Sequence, residues 1–184
     1  HSDSILLSTQ VFTVNNGSID KYILKNLYHI KNLLSGESTI TSIDFSHFDA
    51  SKVSSLVETF VNCESLKAID LSYFKTSKIS LFERSFSSCK NLEYLNLSHI
   101  AADSINNADN MLSIAEIKNI DISGFNIENI VSYSGPQFKE LKSLKYINIK
   151  DTYLDDNSIE AIKKIGNDLT ICQDRPILVK KVIY

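Results

Sequence analysis

Residues 62–80, NCESLKAIDLSYFKTSKIS, are followed at 88–106 by SCKNLEYLNLSHIAADSIN, a loose copy of the first. Cys63 and Cys89 open the two copies, and Ile69/Leu71 of the first stand where Leu95/Leu97 stand in the second. Each apolar pair brackets one polar residue, Asp70 or Asn96. That alternation marks a short strand whose apolar side chains enter a core while the middle one faces out.

On either side of these copies the same pair occurs as Ile43/Phe45, Ile120/Ile122 and Ile147/Ile149, the first members of the five pairs falling at intervals of 26, 26, 25 and 27. Phe60, Phe86, Leu112 and Phe138 form a second column at intervals of 26, and Phe48, Phe74, Ile100 and Phe125 a third. Val53, Ile79, Ile105 and Ile130 form a fourth. A unit of this size with one short strand cannot bury its own apolar face, but stacked units bury it against their neighbours. The expectation is an α/β repeat solenoid with one parallel sheet and about five regular coils over 37–165. The return segments, SSLVETFVNC (54–63) and SLFERSFSSC (80–89), have helix-compatible spacing but room for no more than about two turns, and are read as helical or irregular.

Cys63 and Cys89 are equivalent, and the next two units place Ala115 and Leu141 there. A column that accepts Cys, Cys, Ala and Leu is a core column. The two cysteines are therefore read as buried thiols, although residues stacked one coil apart fall within reach of a disulfide.

An open solenoid end exposes its ladders, so caps are expected. Residues 1–36 are read as the N-terminal cap: an edge strand around Phe12 and Val14, then an amphipathic helix from Ser18 with Ile19, Ile23, Leu27, Ile30 and Leu34 on one face. Within DDNSIEAIKKIGND (155–168) a helix starts at Asn157 or Ser158 and stops at Gly166. Residues 166–184 then supply closing strands, LTICQ and RPILVKKVIY. The whole is read as one domain.

The totals fit that reading. At 184 residues, with 43% apolar and 22% charged, the chain suits one domain. A net charge of −3 with scattered Lys and Arg argues against a nucleic-acid partner, which requires a basic patch. No apolar run approaches the roughly 20 residues that span a bilayer, so no membrane insertion of this segment is expected. Three cysteines do not settle the compartment. Two sequons, at Asn16 and Asn96, carry little weight in a chain rich in Asn and Ser.

The unit LKAIDLSYFKTSKISLFERSFSSC (66–89) resembles the BspA-like leucine-rich repeat family, whose units read approximately L-x-x-L-D-L-S-x-F-D-T-S-x-V followed by F-x-x-C. The matching residues are Leu66, Ile69, Asp70, Leu71, Ser72, Phe74, Thr76, Ser77 and Ile79, then Phe86 and Cys89. Residues from Ile40 to Cys89 match closely, while those from Leu92 to about Ile165 are degenerate, with Ile100 in place of Phe and Ala115 or Leu141 in place of Cys. The resemblance implies a leucine-rich-repeat horseshoe with a concave parallel sheet. It also implies a surface or secreted protein of a bacterium or a parasitic or ciliated protist, engaged in adhesion or host-protein binding.

Residues between the core pairs point away from the core, onto the face that solenoids use for recognition. One column there is Asp44, Asp70, Asn96, Asp121 and Asn148. Beside it run Ser42, Ala68, Tyr94, Asn119 and Tyr146, and past the strand ends come His47, Tyr73 and His99. The candidate contact residues are thus Asp44, Asp70, Tyr73, Tyr94, Asn96, Asp121, Tyr146, His47 and His99. Aromatic residues supply large contact area at low entropic cost, and the carboxylates favour a basic or amide-rich protein partner. The same Asp and Ser positions could instead bond within and between coils. His47 and His99 lie two coils apart, too far to share a zinc ion. No nucleophile elbow, phosphate-binding Gly loop, C-x-x-C or paired-His helix is present, so no catalytic residue, metal or cofactor is assigned. The expected function is non-enzymatic recognition or adhesion at the cell surface or in secretion, with a cytoplasmic location not excluded. The alternative is a structural spacer or assembly subunit with no discrete ligand.

Overall fold

The computed structural model describes residues 18–19, 30–43, 45, 50–74, 78–100, 105–125, 138–152, 154, 156–165 and 168–173. Within them the chain is a parallel-sheet solenoid with little helix. Seven short strands stack in chain order: β1 (Ser18–Ile19), β2 (Ser42–Ile43), β3 (Ala68–Asp70), β4 (Tyr94–Asn96), β5 (Asn119–Asp121), β6 (Tyr146–Asn148) and β7 (Thr170–Cys172). All neighbours are parallel, with Ile69, Leu95, Ile120, Ile147 and Ile171 in one register row. At about 4.8 Å per strand the sheet is roughly 29 Å long.

The apolar columns read from the sequence form the core wherever they are described. Phe60, Phe86, Leu112 and Phe138 are buried, as are Val53, Ile79 and Ile105. Phe60 and Phe86 stack with ring centres 5.4 Å apart, and Phe45 meets Phe74 edge-on at 5.2 Å. Phe48 and Ile130 lie outside the described residues.

The return segments are neither helices nor irregular loops. They are ribbons of overlapping turns in which alternate backbone N–H groups have different destinations. In the coil containing residues 56–63, the N–H groups of Thr59, Val61 and Cys63 donate three positions back, to Leu56, Glu58 and Phe60. Those of Leu56, Glu58, Phe60 and Asn62 donate across to the carbonyls of Leu81, Glu83, Ser85 and Ser87 in the next coil. Among the described residues the pattern runs from Asn32, whose N–H donates to Val57, to Ser88, whose N–H donates to Ser113. Left-handed backbone recurs on the same beat, at Asn32 and Gly36, Glu58 and Asn62, Arg84 and Ser88, then Asn110 and Ile114.

This ribbon explains one correction and bears on the curvature. The N-terminal helix expected from Ser18 to Leu34 does not form at either described end: Ser18–Ile19 is a strand paired with Ser42–Ile43, and residues 30–36 are turn ribbon. The ribbon buries Leu56, Thr59, Phe60 and Cys63, a spacing of i, i+3, i+4 and i+7 that is also that of a helix face. Ile30 and Leu34, one repeat before Leu56 and Phe60, belong to that pattern. The edge strand around Phe12 and Val14 lies outside the described residues. A leucine-rich horseshoe bends when wide helices back a sheet of narrower pitch, about 10 Å against 4.8 Å. Here the return ribbon is itself hydrogen-bonded coil to coil from Asn32 to Ser88, which brings its spacing close to that of the strands over the described residues.

Towards the C-terminus the regularity changes. The ribbon position after Ile114 is taken by a 3-10 turn, Phe138–Glu140, and the Glu140 carboxylate accepts from the Ile114 N–H and the Ser113 hydroxyl, both at 3.1 Å. The helix expected near 157–166 is present as α1 (Asp156–Lys163), with Ile159 and Ile162 buried. LTICQ supplies β7, which extends the sheet, whereas RPILVKKVIY lies outside the described residues.

Candidate recognition face

Each of β3, β4, β5 and β6 contributes two outward side chains, at its first and third positions, around a buried middle one. The third positions form the register row Asp70, Asn96, Asp121, Asn148 and Cys172. Their first duty is to their own backbone. The Oδ1 atoms of Asp70, Asn96 and Asp121 accept from the N–H groups of Ser72, Ser98 and Ser123, each at 2.9 Å, and Asn148 Oδ1 accepts from Lys150 at 3.2 Å. These are Asx turns that end each strand and start the corner. One rung crosses between coils: Asn148 Nδ2 donates to Asp121 Oδ2 at 2.9 Å.

The first positions form the row Ala68, Tyr94, Asn119, Tyr146 and Thr170. Tyr94 is exposed and Tyr146 half-exposed. Burial, then the Asp70 and Asp121 charges, pushes the Tyr94 phenol above its ordinary range, with a hydrogen bond to Asn96 opposing. The Tyr146 phenol is raised chiefly by its hydrogen bond with Cys172, then by burial, the Cys172 thiol and the Asp121 charge, with Lys150 acting against them.

The other expected residues divide. Tyr73 is 49% exposed on a 3-10 turn, Ser72–Phe74. His99 is exposed with φ 62°, and Gly124 and Asp151 hold the same left-handed conformation one and two coils on. A position shared by His, Gly and Asp serves a turn first, since His and Asp tolerate this conformation and Gly adopts it freely. Asp44 and His47 lie outside the described residues. The structure therefore brings Asp70, Tyr94, Asn96, Asp121 and Tyr146 onto one face, with Tyr73 and His99 at its corners. The repeat does not point to Thr170 and Cys172, because the step of 24 from Asn148 to Cys172 departs from the beat.

Three carboxylates elsewhere are paired with cations of a neighbouring coil. Arg84 pairs with Glu58 at 2.7 Å, Lys90 with Glu64 at 2.6 Å and Lys118 with Glu93 at 2.8 Å. The Lys118 hydrogen bond and charge hold the Glu93 carboxyl below its ordinary range. Among the described residues, Asp70 and Asp121 have no such cationic partner and are bonded to neutral groups. No cluster of three or more His, Cys, Asp or Glu that could hold a metal occurs among the described residues. No described helix is long and apolar enough to cross a membrane.

Fold and face together define a repeat solenoid with an open, tyrosine-bearing sheet. The chain belongs to the DUF285 family, described as Mycoplasma protein of unknown function, whose model matches residues 28–149. No curated protein matches the chain.

Proposed function

We infer that this is a non-enzymatic recognition domain that binds a protein partner through the open face of its sheet, in the manner of the BspA-like leucine-rich repeat surface proteins its units resemble. The observation that carries the reading is the arrangement of Tyr94 and Tyr146 in one register row beside the unneutralised Asp70 and Asp121. Tyrosines on a sheet whose backbone is satisfied present contact area at low entropic cost. A cell-surface or secreted location follows from the same resemblance. The five repeats counted in the sequence are its regular coils, and horseshoe curvature is assigned to the C-terminal part, where α1 packs beside a 3-10 turn.

The alternative, a structural spacer, draws support from the coil-to-coil ion pairs and Asx turns, which occupy much of the polar surface internally. Capture from a surface or extracellular extract separates the two. Wild type and Tyr94→Ala/Tyr146→Ala, both shown folded by circular dichroism, are compared. A partner held by the first and lost by the second supports recognition. Equal capture by both, or none by either, rejects it in favour of the spacer.

A further inference from the structure

On the open face, β5 offers Asn119 and Asp121 as the floor of a groove one strand wide. Its walls are Tyr94 on β4 and Tyr146 on β6, the register neighbours of Asn119. Two strand spacings separate the tyrosine backbones by about 9.6 Å. Among the described residues neither hydroxyl has a hydrogen bond to Asn119 or Asp121; the side chain that most influences the Tyr94 phenol after Asp70 and Asp121 is Asn96 on its own strand, and for Tyr146 it is Cys172 on β7. Asp121 charges the groove: its carboxylate influences both phenols, so it lies within electrostatic reach of both walls. Its oxygens accept from the Ser123 N–H and the Asn148 amide, two bonds for about four acceptor sites. The remaining capacity has no cation from this chain among the described residues, in contrast to Glu58, Glu64 and Glu93.

We propose that the groove over β5 is a seat for a single arginine or lysine side chain of the partner, its aliphatic stem between Tyr94 and Tyr146 and its cationic head on Asp121. Resting on the recognition reading above, this specifies the partner's chemistry. An aromatic wall attracts a cation through its ring face, and a half-buried carboxylate gives a charge-assisted hydrogen bond.

The test uses acetyl-Gly-Ser-Arg-Ser-Gly-amide and the same peptide with citrulline, which keeps the shape and an N–H/NH2 edge but lacks the charge. The chain has eight tyrosines and no tryptophan, so tyrosine fluorescence reports the titration, and amide shifts at 119–121 locate it. The arginine peptide is expected to bind roughly tenfold more tightly than the citrulline peptide. Asp121→Asn, which retains the Asx turn as Asn96 and Asn148 do, is expected to abolish that preference, while Asp70→Asn leaves most of it. Equal binding of both peptides by wild type, a preference that survives Asp121→Asn, or binding of neither peptide overturns the seat. If equal binding is lost in Tyr94→Ala/Tyr146→Ala, the recognition face stands and the cation seat alone falls. If neither peptide binds, the capture experiment decides the recognition reading separately.

Discussion

Cys63 and Cys89 are fully buried thiols, and each donates to a carbonyl of the preceding coil, Leu34 and Phe60 respectively, at 3.0 Å. Thr59 and Ser85 do the same with hydroxyls, donating to Ile30 and Leu56 at 2.9 Å. The repeat shows that both cysteines occupy a core column, because Ala115 and Leu141 share it. It does not show the sulfur as a donor, since the receiving carbonyl belongs to another coil and its position depends on the turn ribbon. Burial pushes both thiols from an ordinary 9.0 to about 12. The folded chain thus keeps protons that the unfolded chain releases above about pH 9, so unfolding becomes more favourable as pH rises. Stability contributed by these thiols is complete below pH 9 and is lost towards pH 12. Urea midpoints between pH 8.5 and 10.5 should fall less steeply for Cys63→Ala/Cys89→Ala than for wild type; parallel slopes would contradict the buried-thiol account.

Within each coil, the strand and its corner are fixed by the polar residue between the two apolar ones. Period-2 alternation makes the strands legible, and the regular beat alone places Tyr94 and Tyr146 on one face. The return segments are not legible, because a turn ribbon and a helix bury the same i, i+3, i+4, i+7 set and differ only in where alternate N–H groups go. The role of the Asp and Asn column is half legible: outward direction follows from alternation, whereas the bond to the N–H two positions on needs the corner's geometry. Asp70→Asn should leave stability nearly unchanged, because the amide oxygen can accept from the Ser72 N–H as Asn96 does from Ser98. Asp70→Ala should cost about 1 kcal/mol, the usual net worth of such a bond. Urea denaturation of the two variants checks this, and equal losses would assign the position a role other than the turn.

Over the full stack, stability is a sum over interfaces between adjacent coils, and these are not alike. The interface between 56–63 and 82–89 combines crossing backbone bonds, the Ser85 hydroxyl, the Cys89 thiol and the Phe60–Phe86 stack. One coil further, Met111 and Ala115 replace the hydroxyl and thiol, and beyond that Ile114 donates to a Glu140 side chain in place of a backbone carbonyl. Hydrogen exchange should therefore be slowest at Phe60 and Asn62 and much faster at Ile114, with opening spreading from the C-terminal side. Equal protection at Ser88 and Ile114 would refute a graded stack. The Asx row has a consequence of another kind. Asp and Asn close the same turn, and their codons differ by a single base, so each coil can switch a negative charge on or off with little effect on its architecture. Down the row Asp70, Asn96, Asp121 and Asn148 the switches now read on, off, on, off. Such a scaffold can change the charge carried by its open face one coil at a time while the stack beneath stays the same.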